Sequence, residues 1–114
     1  MTEHDLQPRV LLILGSDPDG LWHENIIGSG CLGNSQRFRK YGYANPGGAD
    51  IIGCFRGHFV AVELKSSVGR QRPEQRLFQQ RVERHGGVYA IVRSEDDARA
   101  LLATLRARFT ERAA

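Results

Sequence analysis

Two carboxylates and a lysine stand where a buried hairpin would carry none. In "GGADIIGCFRGHFVAVELKSS", residues 47–67, the segment "FVAVELK" alternates along its length. Val60, Val62 and Leu64 point to one side, and Phe59, Ala61, Glu63 and Lys65 to the other. Asp50 heads the preceding strand, "ADIIGCF", behind a Gly-Gly that permits a sharp turn. Pairing the two strands across "RGH" brings Asp50 toward the far end of the second strand, beside Glu63 and Lys65. Two carboxylates so close repel unless a cation lies between them. Oxygen donors suit a hard ion such as Mg²⁺ or Mn²⁺. An ion held there would polarise a phosphodiester oxygen and make a nucleophile of a bound water. Lys65 would hold that water or offset charge on the attacked phosphate. The same residues also fit a plain Glu–Lys pair along an exposed strand face, and an isolated ExK does not separate the two readings.

Two neighbours favour the chemical reading. Gln75 falls one turn into the helix that follows, where its amide can orient a water or a phosphate; a helix-surface glutamine is the plain alternative. The loop "GRQRPEQR" gathers Arg70, Arg72 and Arg76 around the same point. Residues 34–93 hold eleven Lys/Arg against four Asp/Glu, a local +7, while the flanks carry −4. Fourteen of the sixteen basic residues are arginine, the side chain that grips phosphate in bidentate fashion. Charge of this kind suits a polyanion or, equally, a solvated basic face.

Regular elements must position these groups. "TEHDLQPRVLLILG" has helical spacing behind Thr2 as N-cap, with Pro8 either kinking the helix or marking a later start. "SDPDG" reads as a turn and "LWHENI" as a short strand. "QRFRKYGY" interleaves Arg37, Arg39 and Lys40 with Phe38, Tyr41 and Tyr43, a pattern that suits phosphate contacts and stacking on unpaired bases, or an ordinary edge strand. "PEQRLFQQRVERHGG" predicts a helix from Pro73 to a Gly86 stop, "VYAIVR" a strand, and "SEDDARALLATLRARF" a helix capped by Ser94. Leu101, Leu102, Leu105 and Phe109 give that last helix an apolar face that reads as core. The 114 residues predict one α/β domain spanning 1–114.

Several classes drop out. The longest apolar run, residues 10–14, is too short to cross a bilayer, so no membrane partner is expected. Cys31 and Cys54 form no CxxC, and the four histidines form no HxxxH or HExxH, which argues against zinc and for free thiols in a cytoplasmic protein. The glycines form neither a Walker loop nor a GxGxxG behind a strand. A sugar-cleaving acid pair is disfavoured by the adjacent lysine and the surrounding arginines.

The blocks "PGGAD", "GHFVAVELKS", "GRQRPEQ" and "GGVYAIVRS", in this order and at these spacings, resemble the VRR-NUC branch of the PD-(D/E)XK nucleases. The resemblance is strongest over residues 45–95. It implies a restriction-endonuclease-like core, a mixed sheet flanked by helices, and Mg²⁺- or Mn²⁺-dependent DNA cleavage. It assigns Asp50, Glu63 and the Leu64 carbonyl as metal ligands, Lys65 to the attacking water and Gln75 to a supporting place. It also calls for a glutamate on the first helix, which Glu3 supplies, with Glu24 of "LWHEN" as the alternative. Where the family often has Ser or Thr before its Pro-Glu-Gln, this chain has Arg72. Small stand-alone members of the family, bacterial or phage-encoded, resemble junction-resolving nucleases that act on branched DNA as homodimers. A less selective nuclease or nickase, and a non-catalytic nucleic-acid-binding module on the same scaffold, are the other readings. The intact set Asp50, Glu63, Lys65 and Gln75 disfavours the last.

Overall fold

Strand β5, His58–Leu64, is the middle of the molecule, and both of its faces are covered. A computed structural model describes residues 2–31 and 39–110. On one side of β5, β4 (Ile51–Phe55) pairs antiparallel through the turn at Arg56 and Gly57, and β1 (Gly20–Glu24) pairs antiparallel beyond it. On the other side β6 (Val88–Val92) runs parallel. Parallel neighbours need a crossover, and helix α2 (Pro73–Arg84) supplies it. The sheet is therefore mixed, in the order β1–β4–β5–β6. A second, two-stranded ribbon joins β2 (Gly28–Gly30) to β3 (Arg39–Tyr41).

Helices α1 (Glu3–Gly15) and α3 (Glu95–Arg108) lie on the face bearing Val60, Val62 and Leu64. Leu6, Val10 and Leu14 of α1, one turn apart, meet Ala98, Leu101 and Leu105 of α3 over Ile51, Phe55 and Val92. Burying each large aliphatic of this set contributes about 1.5–3 kcal/mol before ordering costs. The opposite face receives α2, whose Phe78 and Val82 pack on Ala61 and Tyr89. Mixed sheet and flanking helices are as the sequence predicts, and the α3 face is core.

Helix α1 is continuous through Pro8, from a Thr2 cap whose side chain accepts from the Asp5 amide. The donor that Pro8 lacks would have served the carbonyl of exposed His4, which water can satisfy instead. Glu3 is consequently the first residue of an intact helix. Helix α2 has Pro73 at its start, and Gly86 closes it at φ 82°, the left-handed region that favours glycine. No helix among the described residues is long and apolar enough to cross a membrane.

Candidate active site

Register brings the acids together. Ile51 lies opposite Val62, so Asp50, one residue earlier, stands across from Glu63. An Asp50 Oδ2 accepts from the Leu64 amide at 2.8 Å, which fixes the carboxylate against β5. A strand residue turns its N–H and C=O to the same edge, so the Leu64 carbonyl also faces the Asp50 side. The loop before Asp50 is held just as firmly. Gly47 has φ 96°, and a Cβ there would run into the Glu74 carbonyl. Asn25 donates to the Tyr43 and Ala49 carbonyls and accepts from the Tyr43 amide, while its own amide donates to the Asp50 carbonyl.

Glu63 and Lys65 are only 4% and 5% exposed, which rules out the plain surface pair. Their burial follows from α2 closing the face of β5 that carries Ala61. Glu63 Oε1 accepts from Gln75 Nε2 at 2.9 Å and lies 3.8 Å from Lys65 Nζ. Its other oxygen, Oε2, is buried and has no hydrogen-bond partner among the described residues. Burial, and then the charge of Asp50, push the Glu63 carboxyl up to about 8, while Lys65 pulls the other way. Gln75 does two jobs. Its Oε1 accepts from the Arg72 amide at 2.8 Å, the N3-to-N-cap half of a capping box, and its Nε2 orients Glu63.

Asp50, Glu63 and Gln75 line a cleft of about 290 Å³, whose walls also include Glu3, Arg72 and Glu74; Lys65 lies behind Glu63 and is not part of that lining. Glu3, at the head of α1, accepts from the Ser66 amide at 3.3 Å and so reaches the site; Glu24 is exposed at the end of β1 and does not line it. Four carboxylates and one guanidinium thus face one small cleft. A phosphate would be repelled there unless a cation came between. Among the described residues no group of three or more His, Cys, Asp and Glu side chains is close enough to cage a metal ion. Two carboxylates with a backbone carbonyl is nonetheless a donor set suited to Mg²⁺ or Mn²⁺, ions that keep several waters, and the orphaned Glu63 oxygen is the atom such an ion would satisfy.

The expected cationic surround divides. Arg72 forms part of the cleft wall, but Arg70 and Arg76 are exposed and do not line it. Glu74 and Gln75 take the two cleft-facing places at the start of α2, and Arg76, one residue further round the helix, is turned to solvent. Arg39 and Lys40 are exposed on the separate β2–β3 ribbon, which leaves the cleft rim just after Ile27. Arg37 lies outside the described residues.

Several supporting residues were not singled out in the sequence. Arg93, at the end of β6, donates from Nη1 to the Ser66 and Gly69 carbonyls and clamps the loop behind Lys65. Asn45 donates to the Gly28 and Tyr41 carbonyls, tying the ribbon to the loop before Asp50. Tyr89, opposite Ala61, is buried on the Glu63 face with its hydroxyl pushed up to about 12 by burial. Only Tyr89 had a readable signal, the alternation of β6. Comparison with protein-family models, curated proteins and solved structures finds no match to this chain.

Proposed function

We propose that this chain is a metal-dependent DNA endonuclease with a restriction-endonuclease-like core of the VRR-NUC type. The observation that carries the reading is the buried Glu63 carboxylate, which faces Asp50 in an acid-lined cleft, has Lys65 3.8 Å away and leaves one oxygen without a partner among the described residues. Asp50, Glu63 and the Leu64 carbonyl are the groups that would hold Mg²⁺ or Mn²⁺. When bound, the ion would polarise the phosphodiester and lower the pKa of a water.

The chain's own residues do the rest. Lys65 Nζ hydrogen-bonds the attacking water and offsets charge that builds on the phosphate. Gln75 fixes the rotamer of Glu63, so the carboxylate is aimed before substrate arrives. Glu3 braces the backbone just beyond Lys65. Arg72 at the cleft wall, with Arg39, Lys40, Arg70 and Arg76 further out, supplies the phosphate contacts that bring DNA in. Arg37 joins them by its place in the sequence. Branched, Holliday-type DNA is the favoured substrate, and paired cuts in its two strands by a chain with one site would require a two-fold homodimer.

The test is incubation of the purified protein with a four-way junction, a matched linear duplex and a single strand, each in EDTA, Mg²⁺ or Mn²⁺. Metal-dependent paired nicks in the junction alone are expected. Cutting of every substrate would replace the resolvase reading with that of a less selective nuclease. Binding without cutting in any metal would leave a nucleic-acid-binding module.

A further inference from the structure

The catalytic cleft is one end of a longer furrow. Pro46 and Glu74 belong both to the cleft and to a neighbouring depression along α2. Ala44, Phe78 and Arg81 belong both to that depression and to a third cavity. The seam between α2 and the loop before Asp50 is therefore grooved from Gln75 to His85, about 15 Å at the helical rise. At the duplex spacing of about 3.4 Å per nucleotide this is a few nucleotides of one strand.

The far cavity encloses about 380 Å³, within the range of small-ligand pockets. Tyr43, Phe59 and Phe78 wall it, with the Tyr43 ring 5.9 Å from Phe59 and 6.0 Å from Phe78. Phe78 is nearly buried, whereas Tyr43 keeps 49% of its surface exposed. That exposed ring is not loosely placed, because Asn25 holds both the amide and the carbonyl of Tyr43. Arg81 and His85 stand at the rim, and neither has an ion-pair partner among the described residues. Exposed Arg84 lies on the same turn, with Glu83 the one acid beside it.

We propose that this aromatic pocket binds an unpaired nucleobase of the strand whose backbone runs along α2 from the catalytic cleft. A flat base suits the half-exposed Tyr43 ring, with Phe59 and Phe78, inclined to it by 52° and 78°, as the pocket wall, and the cationic rim suits the phosphate attached to it. A base within a duplex is stacked on both sides and cannot enter. The proposal rests on the nuclease reading and narrows it: the enzyme selects DNA with an unpaired base a few nucleotides from the cut. An apolar side chain of a second copy is the competing occupant.

Binding is measured in EDTA, so that cleavage plays no part, by fluorescence anisotropy of a labelled single strand and its matched duplex. Tyr43→Leu should weaken single-strand binding roughly tenfold and leave duplex binding within about twofold, as loss of one stacked base predicts. Tyr43→Phe, which keeps the ring, should bind like the native protein. A single strand carrying 2-aminopurine should be quenched by the native protein and by Tyr43→Phe, but less by Tyr43→Leu. Unchanged single-strand affinity in a folded Tyr43→Leu protein overturns the proposal, as does an equal loss on both DNAs. A change of oligomeric state in Tyr43→Leu, seen by sedimentation, overturns it in favour of the second copy. Native protein that binds no nucleic acid sinks the nuclease reading and the pocket together. Native protein that cuts in Mg²⁺ while Tyr43→Leu shows no stacking defect sinks the pocket alone.

Discussion

Two charge clusters sit at opposite ends of β4, and they are built differently. At the β4–β5 turn, Arg56 grips Asp19 at 2.8 Å and donates to the Phe109 carbonyl at 2.5 Å. Arg106 adds bridges to Asp17 at 2.7 Å and to Asp19 at 3.3 Å. Two cations meet two anions at hydrogen-bond range, and the cluster ties the C-terminal end of α3 to the turn. At the Asp50 end two carboxyl groups, Asp50 and Glu63, meet one lysine, the Lys65–Glu63 contact is a long 3.8 Å, and a buried Glu63 oxygen has no partner among the described residues. A saturated cluster is a clamp. An unsaturated one is stable only because something else, a proton or a cation, completes it.

Substitution at each end sharpens this contrast most. Lys65→Ala should lower the cleavage rate by a factor on the order of 10² to 10³ while DNA affinity measured in EDTA stays close to native. Arg56→Ala should do the reverse, with cleavage near normal at low temperature and a stability loss of roughly 2 kcal/mol in denaturant unfolding. Equal cleavage by the Lys65→Ala and native proteins would remove the lysine from the mechanism.

The next largest effect is on pH. Without metal, folded protein holds a proton on Glu63 up to about pH 8, whereas the unfolded chain releases it near the ordinary 4.5. Between those values the folded state binds more protons, so stability falls as pH rises through the window and levels off above it. The full contribution, a few kcal/mol at most, is present below the lower value. Glu63→Gln, neutral throughout, should flatten this part of the profile. Thermal unfolding in EDTA at about pH 5 and about pH 9 checks both proteins, and a Glu63→Gln profile as steep as the native one would contradict the assignment.

The hairpin and the opposition of Asp50 to Glu63 were legible in the sequence because period-two alternation and a tight turn leave little freedom of register. The α2 and α3 boundaries were legible from Pro73, Gly86 and Ser94. Burial of the acids was not. Whether a Glu–Lys pair faces water depends on α2 returning over that face, a tertiary event outside the strand's own pattern. Asn25 and Asn45 left no signal either, since each bonds backbone carbonyls in a distant loop. Arginines near Gln75 in sequence looked like one patch, yet helical geometry turns Arg76 away from the cleft.

Smaller effects test the supports. Gln75→Ala leaves the Arg72 amide and Glu63 Oε1 each without a partner, and should cost about 1–3 kcal/mol and slow cleavage about tenfold. A variant with native melting and native rate would show Gln75 to be dispensable. Smallest is the ribbon. Arg39→Ala with Lys40→Ala should lower the slope of log affinity against log salt by about 2 if both contact phosphate, and an unchanged slope would place the ribbon off the DNA.

The most direct test of the unsaturated cluster is a count of bound Mn²⁺ at about pH 8 by electron paramagnetic resonance. The native protein should take up at least one Mn²⁺ per chain, and Asp50→Asn, which keeps the size but not the charge, should lose that uptake. Equal uptake by the two proteins, or none by the native chain, would contradict the claim that Asp50 and Glu63 form a cation site.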